Sequence, residues 1–179
     1  MKQEIIIAGF GGQGVLSMGK ILAYGALMND LEVTWMPSYG PEQRGGTANV
    51  TVVISDSLIN SPIVDTYDVA VILNQQSLDK FEHTVKPGGL LIYDPYGIHR
   101  IPERKDIRIV EVKAMDATIE YGNAKSYNMI LLGALIKTDP IVSVENVLAG
   151  LKKVLPERHH HLLPANEKAV KIGMDLIKE

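Results

Sequence analysis

The pattern of apolar and polar positions divides the chain into strands and helices. Ile5-Ile6-Ile7-Ala8 is a short unbroken apolar run, which predicts a strand buried on both faces. After a cluster of glycines, Val15, Met18, Leu22 and Ala26 recur at helical spacing, which predicts a helix over residues 12–29 with Asn29-Asp30 as its stop. Residues 31–36 read as a second strand ended by Pro37. These three elements predict one strand–helix–strand unit with parallel strands and a right-handed crossover. From Thr47 the period becomes two: Ala48, Val50, Val52 and Ile54 share one face, and Thr47, Asn49 and Thr51 the other. Residues 67–73 and 90–93 are further apolar strands. Between them lie a helix over 75–84 and the breaker Lys86-Pro87-Gly88-Gly89. Residues 107–112 alternate and read as a short strand at a sheet edge.

The remainder is helical. Residues 127–136 are apolar nearly all round, which predicts a buried helix. Ser143 is placed to cap a helix whose Val144, Val147, Leu148, Leu151 and Leu155 form one stripe, and a last helix near 165–178 turns Ala169, Ile172, Gly173 and Leu176 inward. Strands alternating with helices predict an α/β three-layer sandwich. Its sheet is mostly parallel and Rossmann-like, its C-terminal region is helical, and a single domain spans residues 1–179.

Composition narrows the function. A net charge of −3 gives no general attraction to nucleic acid or to an anionic membrane. No apolar run approaches the roughly 20 residues needed to span a bilayer, and Met1-Lys2-Gln3-Glu4 does not open a secretory signal. The expectation is a cytoplasmic protein. The absence of cysteine excludes disulfides, a cysteine nucleophile and thiolate-held zinc or iron–sulfur clusters within this chain.

The chemistry concentrates in two loops. Gly9, Gly11 and Gly14 fit the G-x-G-x-x-G spacing between a strand and a helix. In that motif the first glycine makes the turn, the second admits a phosphate to the backbone, and the third lets the helix pack on the strand. Gly9, Gly11, Gly12, Gln13 and Gly14 are therefore candidates for holding a phosphate at the helix start. The second loop, Tyr39-Gly40-Pro41-Glu42-Gln43-Arg44-Gly45-Gly46, holds Arg44 among glycines, and a guanidinium there suits phosphate, carboxylate or another subunit.

A dinucleotide site would place an acid at the end of the second strand, where Met36-Pro37 stands instead. The same gap weakens a methyltransferase reading. A free-standing NAD(P) dehydrogenase or methyltransferase is nonetheless the alternative function. No catalytic triad is visible. His159-His160-His161 lacks metal-ligand spacing, because neighbouring imidazoles in an extended segment alternate sides. No catalytic or metal-binding residue is assigned.

Three stretches together are more specific: Gly9-Phe10-Gly11-Gly12-Gln13-Gly14-Val15-Leu16, Pro37-Ser38-Tyr39-Gly40-Pro41-Glu42-Gln43-Arg44-Gly45-Gly46, and Asn60-Ser61-Pro62. With residues 67–75 and 128–133, they resemble the gamma subunit family of 2-oxoacid:ferredoxin oxidoreductases, the 2-oxoglutarate type most of all. The resemblance implies oxidative decarboxylation of a 2-oxoacid by several chains together. Thiamine diphosphate and iron–sulfur clusters would lie in alpha, beta and ferredoxin-like delta partners. The acyl group would pass to coenzyme A, and electrons would pass to ferredoxin. A chain without cysteine and without a thiamine motif would be inactive alone and bind nothing covalently, and without its partners it would be free to self-associate. Its expected contribution is subunit contact and a seat for a coenzyme A phosphate at Gly9, Gly11, Gly12, Gln13 and Gly14, assisted by Arg44.

Overall fold

The computed structural model describes residues 1–41 and 45–178. Six strands form one sheet: β1 (Lys2–Phe10), β2 (Glu32–Tyr39), β3 (Thr47–Ser55), β4 (Tyr67–Ile72), β5 (Val85–Tyr93) and β6 (Arg108–Glu111), in the spatial order β2-β3-β1-β4-β5-β6. Strands β1, β4, β5 and β6 are parallel neighbours, while β3 runs antiparallel to both β1 and β2. The mostly parallel sheet is thus as the periodicity predicts.

The simple strand–helix–strand unit is not found as expected. β2 points the same way as β1, but β3 lies between them. β3 follows β2 through a short connection, and a hairpin needs no crossover, so it inserts beside β1. Pro37 does not end β2 either; it sits opposite Val50 within the ladder. A residue without an N–H is tolerated there because β2 is an edge strand. β5 likewise starts earlier than residue 90 and runs through Lys86-Pro87-Gly88-Gly89, where its register against β4 shifts.

Helices cover both faces. On one side lie α1 (Val15–Leu27), α4 (Tyr127–Thr138) and α5 (Val144–Val154), with α6 (Leu163–Asp175) packed on α4. Their core joins Ile5 and Ile7 of β1 and Val50 and Val52 of β3 to Met18, Leu22 and Ile130. On the other side the short helix α2 (Gln75–Phe81) packs Leu78 and Phe81 on Ile6, Ala8, Ala70, Ile72 and Leu91. The apolar run Ile5-Ile6-Ile7-Ala8 is fully buried because β1 is central and each face meets one of these cores.

α4 is buried all round. A Cβ on its Gly133 would overlap the Val170 carbonyl of α6, and one on Gly173 would overlap the Ile130 carbonyl of α4. The two helices therefore cross backbone to backbone. Ser143 caps α5 as its sequence predicts, accepting from the Asn146 amide at 3.2 Å. α3 (Ala114–Tyr121) is a further helix, packed on α4 and absent from the periodicity reading.

Candidate functional site

The strand order brings the two glycine-bearing loops together. β1 ends at Phe10 and β2 ends at Tyr39, both at the carboxyl end of the sheet, and β3 starts there because it runs the other way. The Gly11 amide donates to the Gly46 carbonyl at 2.8 Å, tying the loop after β1 to the return into β3. Ligands in open α/β sheets bind at this end.

Each glycine has a different reason. Gly9 lies within β1, and a Cβ there would come within 2.9 Å of the Leu73 Cβ and 3.2 Å of Val15. It packs the strand against its neighbours and does not make the turn. The turn is made by Gly12 and Gly14, which hold φ of +97° and +77°. Gly11, the position expected to admit a phosphate, has its amide occupied by Gly46. Gly14 approaches α4 rather than a strand: a Cβ would meet the Asn128 side chain at 2.5–2.9 Å.

Gln13 turns back into the loop. Its Oε1 accepts from the Phe10 amide at 2.6 Å and its Nε2 donates to the Leu73 carbonyl at 3.4 Å. The side chain braces the loop between β1 and the end of β4. Arg44 lies outside the described residues, so its place in the site rests on the sequence alone.

These bonds leave the start of α1 open. Its cap residue Gly14 has no side chain to offer, and the first turn contains no acid. First-turn amides have no acceptor within a helix, so those of Val15, Leu16 and Ser17 carry the positive end of the helix dipole. They border a cavity of about 470 Å³ lined by Phe10, Val15, Leu16, Tyr39, Thr47 and Ala48 together with the loop glycines. Among the described residues its lining carries no charged side chain. The arrangement suits an anion at the helix start with an uncharged group beside it.

A second cavity of about 250 Å³ lies against the same loop, between Gly12, Gln13 and Gly14 and the first turn of α4. Near it the buried Asp94, at the end of β5, accepts from the Met115 amide at 2.9 Å and the Tyr96 amide at 3.0 Å. Burial pushes the Asp94 carboxyl up, partly offset by those amides. Burial and the Asp94 charge together push the Tyr127 hydroxyl up. This is an acid buttressing a turn and the start of α3, with two amides already holding it.

The sequence misses Asn128 and Tyr39 as individual site residues. Asn128 Nδ2 donates to the Gly14 carbonyl at 3.2 Å, and nothing in local spacing foretells a bond across 114 residues. Tyr39 belongs to a motif noted for its glycines and its arginine, yet its ring forms a wall of the larger cavity.

The histidine run has a structural account. It forms one stretch of 3-10 helix, Glu157–Leu162, in which His160 Nε2 lies 2.9 Å from the Leu155 carbonyl and 3.1 Å from that of Lys152, at the end of α5. No group able to hold a metal ion occurs among the described residues.

Among the described residues, no ribose-binding acid of a dinucleotide fold stands at the end of β2. The strand beside β1 on that flank is the antiparallel β3, and β2 ends in Ser38-Tyr39.

Comparison with known proteins agrees with this architecture. The family model described as pyruvate ferredoxin/flavodoxin oxidoreductase matches residues 4–176. The 2-oxoglutarate synthase subunit KorC of Methanothermobacter marburgensis is 36% identical over 186 residues, covering 100% of this chain and 98% of that protein. The ketoisovalerate oxidoreductase subunit VorA of the same organism is 45% identical over 133 residues, 74% of this chain. The aligned part is only 28% of VorA, so the chain spans a small part of that longer relative.

Among solved structures, the gamma subunit of a keto/oxoacid ferredoxin oxidoreductase from Geobacter sulfurreducens superimposes with a TM-score of 0.82 at 28% identity, over 97% of both chains. The 2-oxoglutarate:ferredoxin oxidoreductase of Magnetococcus marinus, with 2-oxoglutarate, coenzyme A and succinyl-CoA bound, gives 0.88 at 25% identity, over 98% of this chain and 31% of that one.

Proposed function

The chain belongs to the pyruvate ferredoxin/flavodoxin oxidoreductase family as its gamma-type unit, and from that premise we propose that it serves a 2-oxoglutarate:ferredoxin oxidoreductase by seating coenzyme A. In this reading it works in the cytoplasm with alpha, beta and ferredoxin-like delta partners and has no activity alone. The thiamine diphosphate and iron–sulfur clusters of those partners supply the decarboxylation and the electron path to ferredoxin. This chain's residues do the binding. The open start of α1 takes a phosphate of coenzyme A, Gln13 and Asn128 keep the loop in shape, and Arg44 adds a counter-charge on sequence grounds. 2-Oxoglutarate is favoured over other 2-oxoacids because the KorC likeness runs the full length of both proteins.

The observation that carries the reading is the uncapped, acid-free first turn of α1 opening into the 470 Å³ cavity. The discriminating change is Ser17→Asp. Ser17 is exposed, lines that cavity and stands in the first turn. An aspartate there strengthens the helix through its dipole while occupying the anion seat. Isothermal titration of the assembled enzyme should show coenzyme A binding weakened by about tenfold or more, the scale of one added like charge near a protein surface. Arg44→Ala should weaken it too without loss of assembly. Unchanged affinity in Ser17→Asp overturns the seat. Impaired assembly with unchanged affinity in Arg44→Ala makes that residue an interface contact instead.

A further inference from the structure

We propose that Tyr39 is the stacking wall for the adenine ring of coenzyme A, which would place the non-reacting end of the molecule in the larger cavity; this rests on the coenzyme A seat proposed above. Tyr39 is the last residue of β2 and stands directly opposite Ala48, which in turn stands opposite Gly9. Residues opposite one another in an antiparallel ladder share a face. Beside the Tyr39 ring at this end of the sheet, the face toward α1 therefore carries only a methyl group and a hydrogen. The larger cavity forms there, and Tyr39 remains 62% exposed.

Earlier along β2 the same face carries Val33, Trp35 and Pro37, opposite Ile54, Val52 and Val50. Trp35 is 37% exposed, against 62% for Tyr39. The aromatic side chain opposite a valine is thus more covered than the one at the strand end, where the neighbours shrink, although both are exposed.

The lining decides which part of the ligand enters. Val15, Leu16, Ala48 and Phe10 are apolar, and among the described residues side-chain hydroxyls come from Ser17, Thr47 and Tyr39 itself. The pantetheine arm carries two amides, and burying them there would leave hydrogen-bonding groups unmatched at a cost. A purine offers a flat π face, and stacking on an aromatic side chain requires no polar partner for that face. The helix start at the other side of the cavity meets a phosphate attached to the same nucleoside. With the adenosine end held here, the thiol end is free to reach a partner's active centre.

The test uses the assembled holoenzyme and the variants Tyr39→Phe, Tyr39→Leu and Tyr39→Ala. With coenzyme A as acyl acceptor, Tyr39→Ala and Tyr39→Leu should raise KM about tenfold with kcat unchanged, and Tyr39→Phe should stay within about twofold, since stacking needs the ring and not the hydroxyl. With pantetheine as acceptor, none of the three should change KM. The fluorescent analogue 1,N6-etheno-coenzyme A should be quenched on binding to the wild type and to Tyr39→Phe but not to Tyr39→Leu. Equal KM increases for coenzyme A and pantetheine, or undiminished quenching in Tyr39→Leu, overturn the ring assignment. If Ser17→Asp weakens coenzyme A binding while the Tyr39 variants behave as wild type, the ring assignment alone fails. If neither change affects binding, the coenzyme A seat itself is wrong.

Discussion

Asn128 Nδ2 donates to the carbonyl oxygen of Gly14 at 3.2 Å, so the first turn of α4 holds the residue that opens α1. The start of α1 is shaped from three directions: Asn128 on α4, Gln13 reaching to Leu73 beyond β4, and Gly46 receiving the Gly11 amide. A phosphate seat made of backbone amides needs such bracing, because amides are positioned only by what holds their loop.

That contact separates two glycines with similar backbone strain. Gly12→Ala meets open space and suffers only its positive φ, whereas Gly14→Ala suffers its φ and also collides with the Asn128 side chain. Gly12→Ala should cost about 1–2 kcal/mol, the left-handed penalty for a residue with a Cβ. Gly14→Ala should cost about 1–3 kcal/mol more, the usual range for overpacking. Urea unfolding of the two variants measures the difference, and equal losses would mean that Asn128 yields without cost.

Glu82 gives the stability a defined acid limb. Its carboxylate, 7% exposed, accepts from Arg100 Nη1 at 2.7 Å, from the Arg104 amide at 3.0 Å and from the Glu103 amide. Burial alone would raise its pKa, but the Arg100 contact and the two amides outweigh burial and hold the group below the ordinary glutamate value. A carboxyl whose pKa is lowered by folding stabilises the folded state above its unfolded pKa of about 4.3 and loses that contribution as pH falls through the folded value. Glu82→Gln should therefore be about 1–3 kcal/mol less stable than wild type at pH 7. The gap should narrow as pH drops below about 4, toward the lowered folded value. Thermal melts at several pH values test this; a gap independent of pH would rule out the charge as its source.

The histidine run should behave as a helix terminus. His160→Ala removes the donor to the last carbonyls of α5 and should cost about 1 kcal/mol. His159→Ala, whose ring accepts from the neighbouring Arg158 side chain and tilts against the His161 ring, should stay within about 0.5 kcal/mol. Differential scanning calorimetry with and without equimolar zinc checks both. A zinc-dependent rise in Tm for wild type would point to a metal site after all.

The legible part of the fold was the part written in local periodicity. Ile5 to Ala8, the alternation from Ala48 to Ile54 and the stripe behind Ser143 each report how one element meets the core, and each is where its pattern puts it. α3 leaves no readable period, because its eight residues turn only Ala114, Ala117 and Thr118 fully inward. Of the candidate site, the glycine loop was legible and its division of labour was not. Gly9, Gly11 and Gly14 match a motif whose assumed roles depend on a neighbouring parallel strand, and β3 takes that place here.

By itself the sequence determined the α/β class, the presence of a glycine loop between the first strand and the first helix, and the lack of any thiolate, because these depend on residue type and on spacings within a few turns of chain. Only the tertiary structure decided that β3 lies beside β1, that the Gly11 amide goes to Gly46, that Gln13 and Asn128 brace the loop, and that Tyr39 faces a cavity. The reason is physical: periodicity records how much water each side of an element meets, whereas a hydrogen bond or a cavity wall depends on which distant segment arrives beside it.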